Sequence, residues 1–147
     1  MRLKILFAAA ILIAPAAATA ALASHWYRVA IGDTAAWYVD LDSVKPNGQW
    51  TAGREYSVNF QVSPRGVKTA WSDIEVDCKA HTMRYLRFNA YDENGAQKAS
   101  MESPDQGKIH PVEGGTVSAG IADFICNVDR STAVLVADPL TDNPPRH

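Results

Sequence analysis

Ala70-Trp71-Ser72-Asp73-Ile74-Glu75-Val76-Asp77-Cys78 alternates without a break. Successive side chains of an extended chain point to opposite faces. Ala70, Ser72, Ile74, Val76 and Cys78 therefore share one face, and Trp71, Asp73, Glu75 and Asp77 the other. That period predicts a half-buried β-strand, and it aims Cys78 at the core.

Working outward, the same pattern recurs between turn signals. Arg54 to Val62 sets Tyr56, Val58, Phe60 and Val62 on one side, predicted to be buried, and Glu55, Ser57, Asn59 and Gln61 on a wet side. Ser63-Pro64-Arg65-Gly66 is a turn. After Cys78, Arg84, Leu86, Phe88 and Ala90 alternate against Met83, Tyr85, Arg87, Asn89 and Tyr91. Asn94-Gly95 then predicts a hairpin into a weaker strand from Gln97 to Met101. Upstream, His25 to Ile31 is aromatic and β-branched. Ala36 to Leu41 places Trp37, Val39 and Leu41 on one face, and Lys45-Pro46-Asn47-Gly48 reads as a turn. About six strands with short connections favour antiparallel pairing.

Downstream the character changes. Ser103 to Gly115 is rich in proline and glycine and reads as a loop. Thr116 is placed to cap a helix whose apolar face is Val117, Ile121, Phe124 and Ile125. Cys126 would lie nearly opposite that face on a continuing helix, so the helix is expected to end near Ile125. Gly120 within it costs about 1 kcal/mol against Ala. This helix is the one element available to cover the sheet, which predicts an α+β layer arrangement: an antiparallel sheet with one C-terminal helix packed on it. The domain spans 24–130. The tail, 131–147, is expected to hold a short strand at best and to be mostly disordered.

The start of the chain decides the compartment. Arg2 and Lys4 precede an apolar run from Ile5 to Ala18, and small residues follow. This is the layout of a cleaved secretory signal peptide over 1–20, cut after Ala20 or Ala23. The run is shorter than the roughly 20 apolar residues of a spanning helix, and no cysteine follows it to carry a lipid. A periplasmic or secreted protein is expected, with display on the cell surface a further option. Export exposes the two cysteines, Cys78 and Cys126, to an oxidising space, where pairing is the default. Of 14 basic residues two leave with the leader, so 12 face 16 acidic ones, a net charge of −4. That argues against a nucleic-acid partner, which wants a basic stripe.

Catalytic constellations are weak. His25, His81, His110 and His147 lack metal-ligand spacing. Asp40 with Asp42, and Glu75 with Asp77, share strand faces, but solvated strand residues explain both pairs. No Gly-x-Ser-x-Gly elbow or Gly-rich phosphate loop is present. The expectation is a non-enzymatic protein without metal or cofactor. The aromatic residues stand out instead: Trp71, Tyr85 and Tyr91, with Arg87 nearby, fall on faces predicted to be wet. Exposed aromatics beside arginine are the material of protein-binding patches.

The order Trp26-Tyr27, Tyr38-Val39-Asp40, Glu75-Val76-Asp77-Cys78, Arg84-Tyr85, and His110-Pro111-Val112-Glu113-Gly114-Gly115-Thr116 before a helix into Cys126 resembles the surface-adhesin protein E family of proteobacteria. The pattern runs from about Trp26 to Cys126. Ile109 stands where many relatives carry tryptophan. The resemblance implies a curved six-stranded antiparallel sheet with a C-terminal helix tied to it by a Cys78–Cys126 disulfide. It also implies non-enzymatic binding, to extracellular-matrix proteins in the namesake. Two alternatives are set beside that reading. One is a periplasmic inhibitor or accessory protein that binds another envelope protein, with Asp105 to Gly115 as a protruding loop. Another is a carrier of haem or a small ligand in a pocket between helix and sheet. An unpaired sheet edge leaves room for a homodimer.

Overall fold

The computed structural model describes residues 24–101 and 106–145. The expected signal peptide and its two cut points lie outside the described residues. The strands are β1 (Trp26–Ile31), β2 (Ala35–Asn47), β3 (Trp50–Asn59), β4 (Thr69–Asp77), β5 (Thr82–Tyr91), β6 (Gln97–Met101), β7 (His110–Pro111) and β8 (Val134–Val136), with helix α1 (Val117–Ile125) before the last. They form one antiparallel sheet in the order β6-β5-β4-β3-β2-β1-β8, with β7 beside β5. The α+β arrangement stands as expected. The eight described strands exceed the expected six because β7 arises within the proline-rich loop and β8 within the tail.

Thr116 caps α1, its Oγ1 accepting the Ala119 N–H at 3.2 Å. The helix closes at Cys126, and the Cys78–Cys126 disulfide spans 5.7 Å between Cα atoms. Ile121, Ala122, Phe124 and Ile125 meet Val39, Ile74, Val76 and Met83 in the core. Two glycines allow this approach. A Cβ on Gly53 would lie 2.8 Å from Ile125 Cδ1, and one on Gly120 would lie 3.1 Å from the Val29 carbonyl oxygen. The helical glycine that costs propensity is where α1 touches the backbone of β1.

Three features depart from the simple alternation. First, β2 continues through Pro46 to Asn47, and the turn falls at Gly48-Gln49. Beyond Leu41 the strand has no β1 partner, so the missing proline N–H leaves nothing unpaired. Second, the faces of β3 are reversed. Gly53 and Glu55 face the helix, while Tyr56 faces away and meets Trp26 at 5.7 Å between ring centroids. Both faces of β3 are partly covered, so alternating polarity there does not tell inside from outside. Third, the register of β4 and β5 breaks between the pairs Asp73–Arg87 and Ile74–Tyr85, leaving Leu86 as a bulge. Met83 and Tyr85 thereby point to the helix, and Arg87, Asn89 and Tyr91 away from it. An extra residue shifts every later side chain relative to the partner strand.

The segment after Arg130 carries more structure than the mostly disordered tail expected over 131–147. Val134–Val136 pairs with Trp26–Arg28. Arg130 donates to the Phe124 carbonyl at 2.8 Å and lies over that ring. Pro139 and Pro144 are buried.

Candidate functional site: the sheet face opposite the helix

Directly paired residues share a face, so the register lays out cross-strand rows. Away from the helix, one row runs Arg28, Tyr38, Tyr56, Trp71, Asn89. The adjacent row runs Trp26, Asp40, Arg54, Asp73, Arg87. Aromatic rings thus lie beside a ladder of alternating charge.

At the centre, Asp73 is held between two guanidinium groups. Arg54 donates to its Oδ1 at 2.9 Å and Arg87 to its Oδ2 at 2.8 Å. The Arg54 guanidinium also stacks over Trp71, 4.8 Å from the ring centroid. Trp71 Nε1 donates to the Tyr91 hydroxyl at 3.2 Å. The cluster therefore carries one net positive charge on a fixed aromatic platform. Three of the four residues expected to form a patch, Trp71, Arg87 and Tyr91, meet here. The fourth, Tyr85, does not: the Leu86 bulge turns it to the helix side, where Ser118 is its hydrogen-bond partner and burial raises its hydroxyl pKa.

Sequence reasoning missed Arg54, Asp73, Tyr56 and Trp26 as members of this surface. The register that unites them depends on the length of the β3–β4 connection, which alternation within a strand does not reveal. A similar pair lies lower on the same face. Arg84 bonds Glu75 at 2.6 Å and lies 4.3 Å from the Trp50 ring centroid. Glu75, expected to be wet, is only 2 % exposed because Arg84 and Asn47 close over it.

One member of each acidic pair, Asp40 and Asp77, holds the backbone. Asp40 accepts the Asp42 N–H at 3.0 Å, and Asp77 accepts the N–H groups of Lys79 and Ala80, each at 3.0 Å. Among the described residues no cluster of three metal-ligating side chains occurs, and no helix is long and apolar enough to cross a membrane. On the helix side, Glu55 is buried with Oε2 unpartnered and only the Ser72 hydroxyl near Oε1. Burial pushes its carboxyl up to about 7.

A family model described as surface-adhesin protein E matches residues 26–127. The chain belongs to the surface-adhesin protein E family. By that membership it is a surface-adhesin-like protein. Solved structures of Haemophilus influenzae protein E are similar in fold. One, in crystal form II, has a TM-score of 0.50 at 17% identity, covering 81% of this chain and 98% of that one. Another has a TM-score of 0.49 at 18% identity over 79% and 92% of the two chains. Comparison with curated proteins gives no match. The family match ends at 127, so β8 and the segment after it lie outside the matched region.

Proposed function

We propose that this protein is an exported, non-enzymatic binding protein that holds a partner protein on the sheet face opposite the helix. The observation that carries this reading is the Trp71–Tyr91 pair braced by Arg54, Asp73 and Arg87. Tryptophan, tyrosine and arginine dominate binding energy at protein interfaces. Here their ordering cost is met before a partner arrives, because each side chain already has an intramolecular contact. The surface ion pairs themselves add little stability. Their effect is to fix two guanidinium planes beside the rings.

Family membership supports a protein partner, and the partner proposed is an extracellular-matrix protein or an envelope protein. The test is capture by oxidised mature protein, residues 24–147, of immobilised extracellular-matrix proteins in parallel with an extract of the cell envelope. Saturable matrix capture that is lost when Trp71, Arg87 and Tyr91 become Ala supports adhesion through this face. Capture of an envelope protein alone replaces it with the accessory-protein reading. Capture that survives the triple variant places the contact elsewhere.

A further inference from the structure

Tyr38 belongs to the same face as Tyr56 and Trp71, yet it is 1% exposed. The C-terminal segment covers it. Asp142 Oδ2 accepts from Arg28 Nη1 at 2.6 Å and from the Tyr38 hydroxyl at 3.0 Å. Arg28 and Asp142 side chains are 12% and 14% exposed. A carboxylate from the tail thus fills a preformed site of one guanidinium and one phenol at the end of the aromatic row. Burial, then the Asp142 contact, raises the Tyr38 pKa and keeps its hydroxyl a donor.

The attachment is narrow. Within 138–145 the described backbone bonds are internal: Thr141 and Asp142 donate to the Asp138 carbonyl at 3.2 and 3.1 Å. Among the described residues, the hydrogen bonds from this segment to the sheet are the two on Asp142. A shallow groove of about 420 Å³ runs beside the segment and is lined by Arg28, Val136, Thr141 and Asp142. It gives an incoming chain a route to Arg28. The segment lies beyond residues 26–127, which the family model matches.

We propose that residues 138–145 are a displaceable strap, and that the Arg28–Tyr38 site takes the carboxylate of an acidic, proline-flanked segment in a partner protein once the strap leaves. The strap itself shows the chemistry of the occupant: an aspartate between Pro139 and Pro144, both buried. A partner segment exchanges one buried charge-assisted pair for an equivalent one, so displacement leaves no orphaned guanidinium. The site is distinct from the Trp71–Tyr91 cluster and is tested separately.

The probe is the synthetic peptide Asp-Pro-Leu-Thr-Asp-Asn-Pro-Pro, residues 138–145, titrated into the oxidised mature chain. Asp142→Ala in the protein is expected to raise peptide affinity at least tenfold over wild type. Adding Arg28→Ala, or replacing the peptide's second Asp by Asn, is expected to abolish that gain. Trp71→Ala should leave it unchanged, so failure here does not bear on capture through the Trp71 cluster. Equal binding by wild type and Asp142→Ala, or none by a folded Asp142→Ala protein, overturns the proposal. Should that variant not fold, amide exchange on the wild type decides. Exchange of Leu140, Thr141 and Asp142 at least a hundredfold faster than the β2 and β3 amides supports a strap that opens alone. Exchange only with global unfolding overturns it.

Discussion

Glu55 shows how one residue takes its character from its neighbours. It sits in a clean polar-apolar alternation that would send it to solvent. Instead it lies under the helix, because Gly53 two residues earlier lets Ile125 down onto that face of β3. Its carboxyl titrates near 7 because burial disfavours the charge, against a reference near 4.5. The native state then binds more protons than the unfolded chain between those values. Stability from this group is present below pH 4.5 and is lost as pH rises through 7. Glu55→Gln is expected to stabilise the protein at pH 8 by about 3 kcal/mol relative to its effect at pH 4. Urea unfolding of both proteins at the two pH values checks this, and an equal difference at both contradicts it. Gly120 makes the opposite case. Its cost to the helix was legible, but the reason for it, the Val29 carbonyl at contact distance, was not. Gly120→Val is expected to cost about 1–3 kcal/mol by overpacking, read as a lowered Tm.

Elements were legible where one physical signal dominated. Strand β4 alternates with Cys78 on the core side, and the helix is capped by Thr116 and ends at Ile125, as the residues imply. The bulge at Leu86 was not legible. A bulge adds one residue to one strand and depends on pairing, which the sequence of β5 alone does not encode. That single residue accounts for Tyr85 being placed on the wrong face. Deleting Leu86 is expected to restore plain alternation and leave Tyr85 opposite Ile74 and Arg87 opposite Asp73, each on its present face. A retained cooperative urea transition checks this, and loss of the folded state contradicts it. The disulfide fastens α1 to the end of β4 across a separation of 48 residues. In the chain-entropy model its loss costs about 4 kcal/mol, a large share of a small domain's stability. Cys78→Ser with Cys126→Ser should therefore lower the urea midpoint substantially. An unchanged midpoint would mean that α1 packing alone holds the layers together.

At the scale of the whole molecule, the sheet has two covered faces of different kinds. The helix side is a closed core. The other side is layered with aromatic rings and guanidinium groups, closed at the Tyr38 end by the strap and open at the Trp71 end. The class of the fold and its family were readable from motif order. The layout of the binding face was not, because it is set by register across four strands rather than by any one of them. The proposal at this scale is that this face holds the partner. Its most direct test is the Kd of the captured protein for the oxidised mature chain and for Trp71→Ala/Tyr91→Ala, beside a Val128→Ser control on the helix side. At least a hundredfold weaker binding is expected for the double variant, and no change for the control. Unchanged binding by the folded double variant would contradict it.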